Sequence, residues 1–252
     1  VHPSGLLDLN NRTETISPPT ANTTVLQLNI GPLGSANVQM GATGQLLLQG
    51  GFATNINVGV GSSGGSPVPV AITGSMAVTS TGMTLNVQDS VAIEDLLLQA
   101  VVSGTSPITG TGNNGRLVLD PRNAANAVTP NTYAGNTTIS QGEVLVRSAG
   151  ALGTTAGITT ASGGTLLLDN SGAITGEPLS IGGTGFAGQG VVRNIAGTNS
   201  WTGNVTLTAG ATISVNAGLS LDFSGAIGET GAQALTKLMP GNLILSGSTA
   251  NT

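Results

Sequence analysis

The chain has 252 residues, enough for one large all-β domain, with 40 Gly, no Cys, 7% charged residues and a formal net charge of −5. Its bases (Arg12, Arg116, Arg122, Arg147, Arg193 and Lys237) are scattered, which excludes a nucleic-acid surface built on clustered cations. The lack of cysteine excludes disulfides and thiolate metal sites, and no apolar stretch approaches the ~18–20 residues of a membrane span.

Apolar runs bounded by turn residues recur at 24–30, 45–48, 83–87, 116–119, 143–146, 165–168, 205–207, 212–215 and 242–245. Most alternate with period two, the signature of half-buried strands. Residues 91–102 form a denser run and read as a pair of strands, with a short helix as the alternative. Elsewhere Gly and β-branched residues break any helical period. Pro18-Pro19, Pro67 to Pro69 and Pro121 to Pro130 mark loops that leave the body of the fold, and 59–66 reads as a flexible loop. The mean hydropathy of +0.26 argues against disorder for the rest. Aromatics are only 2% of the chain, so Leu, Val, Ile and Ala must tile the core.

A short phrase organises these runs: Gly-x-Leu/Val-x-Leu/Val, or Gly-x-Thr-Leu/Ile-x-Leu/Val. Its eight copies begin at Gly5, Gly44, Gly82, Gly115, Gly142, Gly163, Gly210 and Gly241. Examples are Gly115 with Leu117 and Leu119, Gly142 with Val144 and Val146, and Gly241 with Leu243 and Leu245. A longer phrase, Asn-Thr/Ser-Tyr/Trp-x-Gly-Asn-x-Thr, runs from Asn131 through Tyr133 and Gly135, and again from Asn199 through Trp201 and Gly203. In each case a short-phrase glycine, Gly142 or Gly210, lies 11 residues after the first Asn.

Self-similarity of this kind marks a stacked repeat. The pattern predicts an all-β, right-handed parallel β-helix (solenoid). Intervals between the eight glycines are 39, 38, 33, 27, 21, 47 and 31 residues. Taking the shortest as one coil gives about 10–12 coils and a rod roughly 50–55 Å long. The phrase glycine is expected to take positive φ at a tight corner. The extra Thr after Gly82, Gly163 and Gly210 reads as a one-residue bulge. Residues 1–252 read as one continuous solenoid, with loop insertions and less regular coils over 1–130 and regular repeat coils over 131–252.

Several phrases resemble the autotransporter-associated β-strand repeat. Leu235-Thr236-Lys237 with Gly241 to Gly247 and Asn251-Thr252 is similar to its first half, and Asn131 to Ile139 followed by Gly142 to Val146 is similar to its second. Arg193 to Gly197 before Asn199 to Gly203 is similar to a phrase of the same large proteins. The resemblance implies a parallel β-helical passenger of a large bacterial surface or secreted protein, serving as adhesin, stalk or coat component. The chain departs from the full pattern in carrying no membrane-barrel translocator and in the long segment 120–130. No signal peptide is read in this sequence, so a signal for export is expected to lie outside it.

Motifs for chemistry are weak. Gly61 to Gly65 matches a serine-hydrolase elbow, but the only histidine is His2. Gly183 to Gly188 matches Gly-x-Gly-x-x-Gly with no helix predicted after it. The overlapping Gly182 to Ala187 resembles a calcium-binding nonapeptide but has Ala187 where the ligand Asp belongs. Asp120, Asp169 and Asp222 each follow a Leu-rich strand and read as solvated corner residues, with weak calcium binding at a shared corner as the alternative. Tyr133 and Trp201 read as structural plugs, with glycan stacking as the alternative. Four Asn-x-Ser/Thr sequons, at Asn11, Asn22, Asn136 and Asn204, carry little weight in so Thr-rich a chain.

The sequence therefore predicts a structural or adhesive segment of an extracellular bacterial β-helical surface protein, with no catalytic residue, metal or cofactor. Partners are neighbouring coils or subunits end to end, surface glycans, or other cell-surface proteins met by the loops around 59–70 and 121–130. The alternatives are a filament or surface-layer subunit stacking end to end, and a polysaccharide-active enzyme needing converging carboxylates. Repeat phrases at both ends suggest a piece of a longer rod, or a subunit completed by its neighbours.

Overall fold

A computed structural model describes residues 5–20, 23–31, 34–60 and 67–248. Its described residues form a parallel β-solenoid, and their only helical element is one 3-10 turn, Phe186–Gly188. The 91–102 run forms two strands, Leu96–Leu98 and Val101–Gly104.

Strands stack on three faces. The first carries Leu6–Asp8, Asn37–Gln39, Val70–Thr73, Leu96–Leu98, Arg116–Leu119, Glu143–Val146, Thr165–Asp169, Val192–Ala196, the end of Val205–Val215 and Leu235–Leu238. The second carries Thr23–Gly31, Thr54–Val60, Met83–Gln88, Ile108–Asn113, Thr137–Ile139, Thr159–Ser162, Leu179–Gly183, the start of Val205–Val215 and Ile227–Glu229. The third face has Thr13–Ile16, Gln45–Leu48, Ser75–Val78 and Val101–Gly104, then Ala173–Ile174, Thr198–Trp201, Ser220–Phe223 and Asn242–Leu245. Between these two runs the backbone bonds continue without strand geometry, as in Thr132 N to Val102 O (2.8 Å) and Thr154 N to Tyr133 O (2.9 Å). The chain visits the faces in the order first, third, second.

Eight complete turns run from Thr23–Gly31 to Ile227–Glu229, with two further strands before them and two after. At the usual strand spacing those turns span about 40 Å. This is fewer than the 10–12 coils the phrase spacing implied. One reason is turn length: Val38 pairs with Ile72, 34 residues on, whereas Leu98 pairs with Leu119, only 21 on. The other is phase. Gly5, Gly115, Gly142, Gly163 and Gly210 precede first-face strands, Gly44 and Gly241 precede third-face strands, and Gly82 precedes a second-face strand. The phrase marks entry into a strand on any face, so intervals between copies are not whole turns.

The glycines are needed for two different reasons. Only Gly142 (φ 61°) and Gly163 (φ 95°) among the eight have the positive φ expected of all of them. At Gly115 and Gly241 the reason is close approach to the preceding coil: a Cβ would lie 2.5 Å from Val87 O and 2.2 Å from Asn216 O. Gly210 meets neither condition. The predicted bulge is also limited. A register shift faces Thr208 to Gly210, but pairing runs unbroken through Met83–Gln88 and from Glu143–Val146 to Thr165–Asp169.

Inward positions form aliphatic columns, because parallel in-register stacking sets like positions above one another. Val38, Ile72, Leu98, Leu119, Val146 and Leu168 succeed each other along the first face, all buried. In the last coil Glu229 and Lys237 stand where the coil before has Leu207 and Ile213.

Candidate functional site

The long phrase holds coil to coil. Asn131 is buried; its side-chain carbonyl accepts Val102 N–H at 2.7 Å, and its amide donates to Ala151 O at 2.7 Å. Tyr133 and Trp201 are among the largest fully buried side chains. Tyr133 shares a hydrogen bond with Thr137 Oγ1 at 2.7 Å, and Trp201 Nε1 donates to Glu177 O at 2.6 Å. Both rings plug the interior, and neither is placed to stack on a glycan. Gly135 and Gly203 sit hard against the coil below, where a Cβ would lie 2.2 Å from Ser106 C and 1.9 Å from Glu177 O. The next residues, Asn136 and Asn204, accept Ile158 and Ala226 N–H groups from the coil above, at 3.1 and 3.3 Å.

Asn199 belongs to a buried amide pair that sequence reasoning missed. Asn194 occupies the first-face column between Leu168 and Val215 and is fully buried. Its carbonyl accepts Asn199 Nδ2 at 2.6 Å, and its own amide donates to Gly197 O and Ser220 O. Asn199 in turn accepts Ser171 Oγ and Gly172 N, both at 3.0 Å. The pair is satisfied, as burial requires. The signal was present in Val192-Arg193-Asn194, where period two turns Asn194 inward.

Carboxylates do not gather. Asp120 and Asp169 share a corner of the first face, but Arg147 stands on the coil between them. Arg147 donates Nε to Asp169 at 3.0 Å and pairs with Glu94, which reaches from the 89–95 loop two coils back. Burial opposes the Arg147 charge, yet these two acids outweigh it and hold its pKa above the ordinary value. Asp120 pairs with Arg122, and Glu143 with Arg116. Asp222 lies apart on the third face, where Ser246 Oγ donates to it at 2.7 and 2.9 Å. The shared acidic corner weighed for calcium therefore has only two of its three acids, with a guanidinium between them. Among the described residues no three His, Asp or Glu are grouped to hold a metal ion.

Two acids are buried with shifted ionisation. Burial raises the Asp95 pKa against the pull of Ser90 and of the Arg116 N–H, whose bond is 2.7 Å. Burial likewise pushes Glu177 up to about 7, against the lowering effect of Thr159, whose hydroxyl donates to it at 2.8 Å. Tyr133, sealed inside and facing Glu177, also has its pKa raised.

The outward rows of the first and second faces differ. On the first, Val118, Leu145 and Leu167 succeed one another and are fully buried, packed with Leu97 and Ile195 into a second apolar cluster outside the core. On the second, one in-register row reads Asn55, Thr84, Thr109, Thr138, Thr160, Ser180 and Thr206, all half-buried. Its strands from Thr23–Gly31 to Leu179–Gly183 contain no charged residue.

The weak motifs resolve simply. Gly183, Gly185 and Gly188 all have positive φ around the 3-10 turn, and a strand follows. Gly61 to Gly65 lies outside the described residues, as does most of the 59–66 loop. Among the described residues no helix is long and apolar enough to cross a membrane. No family model matches the chain, and neither a curated protein nor a solved structure matches it.

Proposed function

We propose that this chain is a structural and adhesive segment of a large extracellular bacterial β-solenoid protein. One observation carries the reading most: the residues that define the repeat phrases bind one coil to the next. The aromatics, asparagines and close-approach glycines face other coils, and the acids at the first-face corner neutralise arginines. Stability in such a stack is distributed over neighbour contacts, which suits a load-bearing spacer. The uncharged hydroxyl row on the second face adds a long, even surface for lateral contact.

Surface labelling tests this. Antibody and protease treatment of intact producing cells is expected to reach the chain, and a purely intracellular location overturns the reading. Incubation with soluble polysaccharides is expected to release no new reducing or unsaturated ends; turnover abolished by Asp120→Asn or Glu94→Gln would favour an enzyme instead.

End-to-end stacking into filaments is the second reading. In it the strand edges of the first and last described coils would pair between copies. Electron microscopy of the purified chain separates the two: continuous axial stacks support filaments, and isolated rods oppose them.

A further inference from the structure

We propose that the groove between the first-face corner and the 121–130 arch binds a neutral oligosaccharide. The proposal deepens the adhesive reading and rests on it.

The groove has a volume of about 290 Å³, near the lower end of ligand-binding clefts, which begin at roughly 300 Å³. Its floor is a ladder. Gln39 pairs in register with Thr73, and Gln99 follows in the next coil, one residue past the Ile72–Leu98 pair. Three polar side chains thus project from successive coils, about 4.8 Å apart. Its wall is the arch, through Arg122, Asn123 and Asn126.

The arch is built before any ligand arrives. Arg122 N donates to Gln99 O at 2.8 Å, and Thr129 N to Pro121 O at 2.9 Å, closing its base. The Asn123 side-chain carbonyl accepts both Ala125 and Ala127 N–H groups at 3.0 Å. Arg122 Nη1 reaches Asn126 O at 3.1 Å. Preorganisation of this kind lowers the ordering cost of binding.

The electrostatics select the ligand class. Arg122 is the one charged side chain lining the groove, and its Nε is bonded to Asp120, which is buried behind it. The local charge is therefore balanced, which disfavours an anionic or cationic guest. What remains is a concave set of amides with a hydroxyl. An amide offers donors and an acceptor in one plane, the complement of vicinal sugar hydroxyls. Asn123 keeps its NH2 donors, its carbonyl being committed within the arch. Gln99 keeps its carbonyl and one N–H, its Nε2 also donating to Asp120 at 3.4 Å. The floor runs along the rod axis, so an extended chain lies along it.

The test is a titration of the isotope-labelled chain, followed by amide NMR. The probes are cellohexaose, maltohexaose and mannohexaose, with oligogalacturonate as the charged comparison. Saturable shifts of the Gln39, Gln99 and Asn126 side-chain amides are expected with at least one neutral hexasaccharide and not with oligogalacturonate. Asn126→Gly keeps the turn, since Asn126 has φ 59°, and removes the amide. It is expected to weaken binding at least tenfold, as is Gln99→Ala, while Thr138→Val on the second face leaves binding unchanged. An unchanged spectrum elsewhere shows that the variants fold. Absence of saturable binding, shifts confined to another face, or preference for oligogalacturonate each overturns the proposal. Those results leave the surface-segment reading standing, because that reading is tested separately, by cell labelling and by polysaccharide turnover.

Discussion

The first and second faces have the same inward architecture and opposite outward ones. Behind both lie aliphatic columns set by in-register stacking. Outside, the first face buries Val118, Leu145 and Leu167 and places ion pairs around them, with Glu94 of the 89–95 loop bonded to Arg147. The second face leaves a row of hydroxyls half-open and keeps charge out of it. The comparison teaches that the interior of a solenoid is dictated by coil repetition, whereas its exterior is dictated by which loops fold back. The first face works as a second packing layer; the second works as a surface.

The sharpest way to break that contrast is to truncate one outward residue on each face. Leu145→Ala is expected to cost about 2–5 kcal/mol, as for a core leucine, and Thr160→Ala within about 0.5 kcal/mol, as for a surface site. Urea unfolding of the two variants measures this, and equal effects would erase the distinction between the faces.

A pH effect of nearly that size arises behind the second face. Glu177 titrates at about 7 in the fold, against an ordinary 4.5. Below pH 4.5 both folded and unfolded chains hold the proton, and the contribution to stability is fully present. Between 4.5 and 7 only the unfolded chain loses the proton, so stability falls as pH rises, by up to about 3 kcal/mol, and then levels off. Glu177→Gln is expected to flatten this slope in unfolding curves measured from pH 4 to pH 8.

A smaller effect tests the ion pairs. Arg147→Met leaves the aliphatic stem but frees Glu94 and Asp169. Both partners are partly exposed, so the expected loss is about 1 kcal/mol or less. Faster hydrogen exchange at 89–95 is the more sensitive readout, and unchanged exchange there would mean the pairs do not hold the loop. Smallest of all, Thr138→Val should shift stability by no more than about 0.5 kcal/mol, since the row contributes surface and little cohesion.

The inward columns, and the near-absence of helix among the described residues, were legible in the sequence because period two reports them directly. The roles of Asn131, Tyr133, Gly135, Asn199, Trp201 and Gly203 were legible as a repeating set, though not as particular bonds. The number of turns was not, because Gly44 and Gly82 open strands on different faces from Gly115, and a glycine before a strand looks the same in each phase. The apolar layer on the first face was hidden for a different reason. Leu117-Val118-Leu119 is a continuous apolar run, and its alternation alone does not tell that the outward Val118 is buried, packed with Leu145 and Leu167 of the following coils and with Leu97 and Ile195. Asp120 and Asp169 looked like neighbours in a future corner, but the sequence could not show that Arg147 falls between them.

Asn194 has a consequence for how such a rod assembles. A stack of near-identical coils has no internal ruler, and a slip by one rung leaves aliphatic columns on aliphatic columns at little cost. Along the first face from Val38 to Val215 every inward partner in this column is aliphatic except Asn194. Shifted by one coil, the Asn194–Asn199 pair would move as a unit but lose the bonds that tie it to its neighbours, to Ser220 O on one side and from Ser171 Oγ and Gly172 N on the other. Each buried amide group left unmatched would cost roughly 1–3 kcal/mol. One amide in one coil thus gives a self-similar polymer an origin, a marked tooth by which the winding chain is indexed.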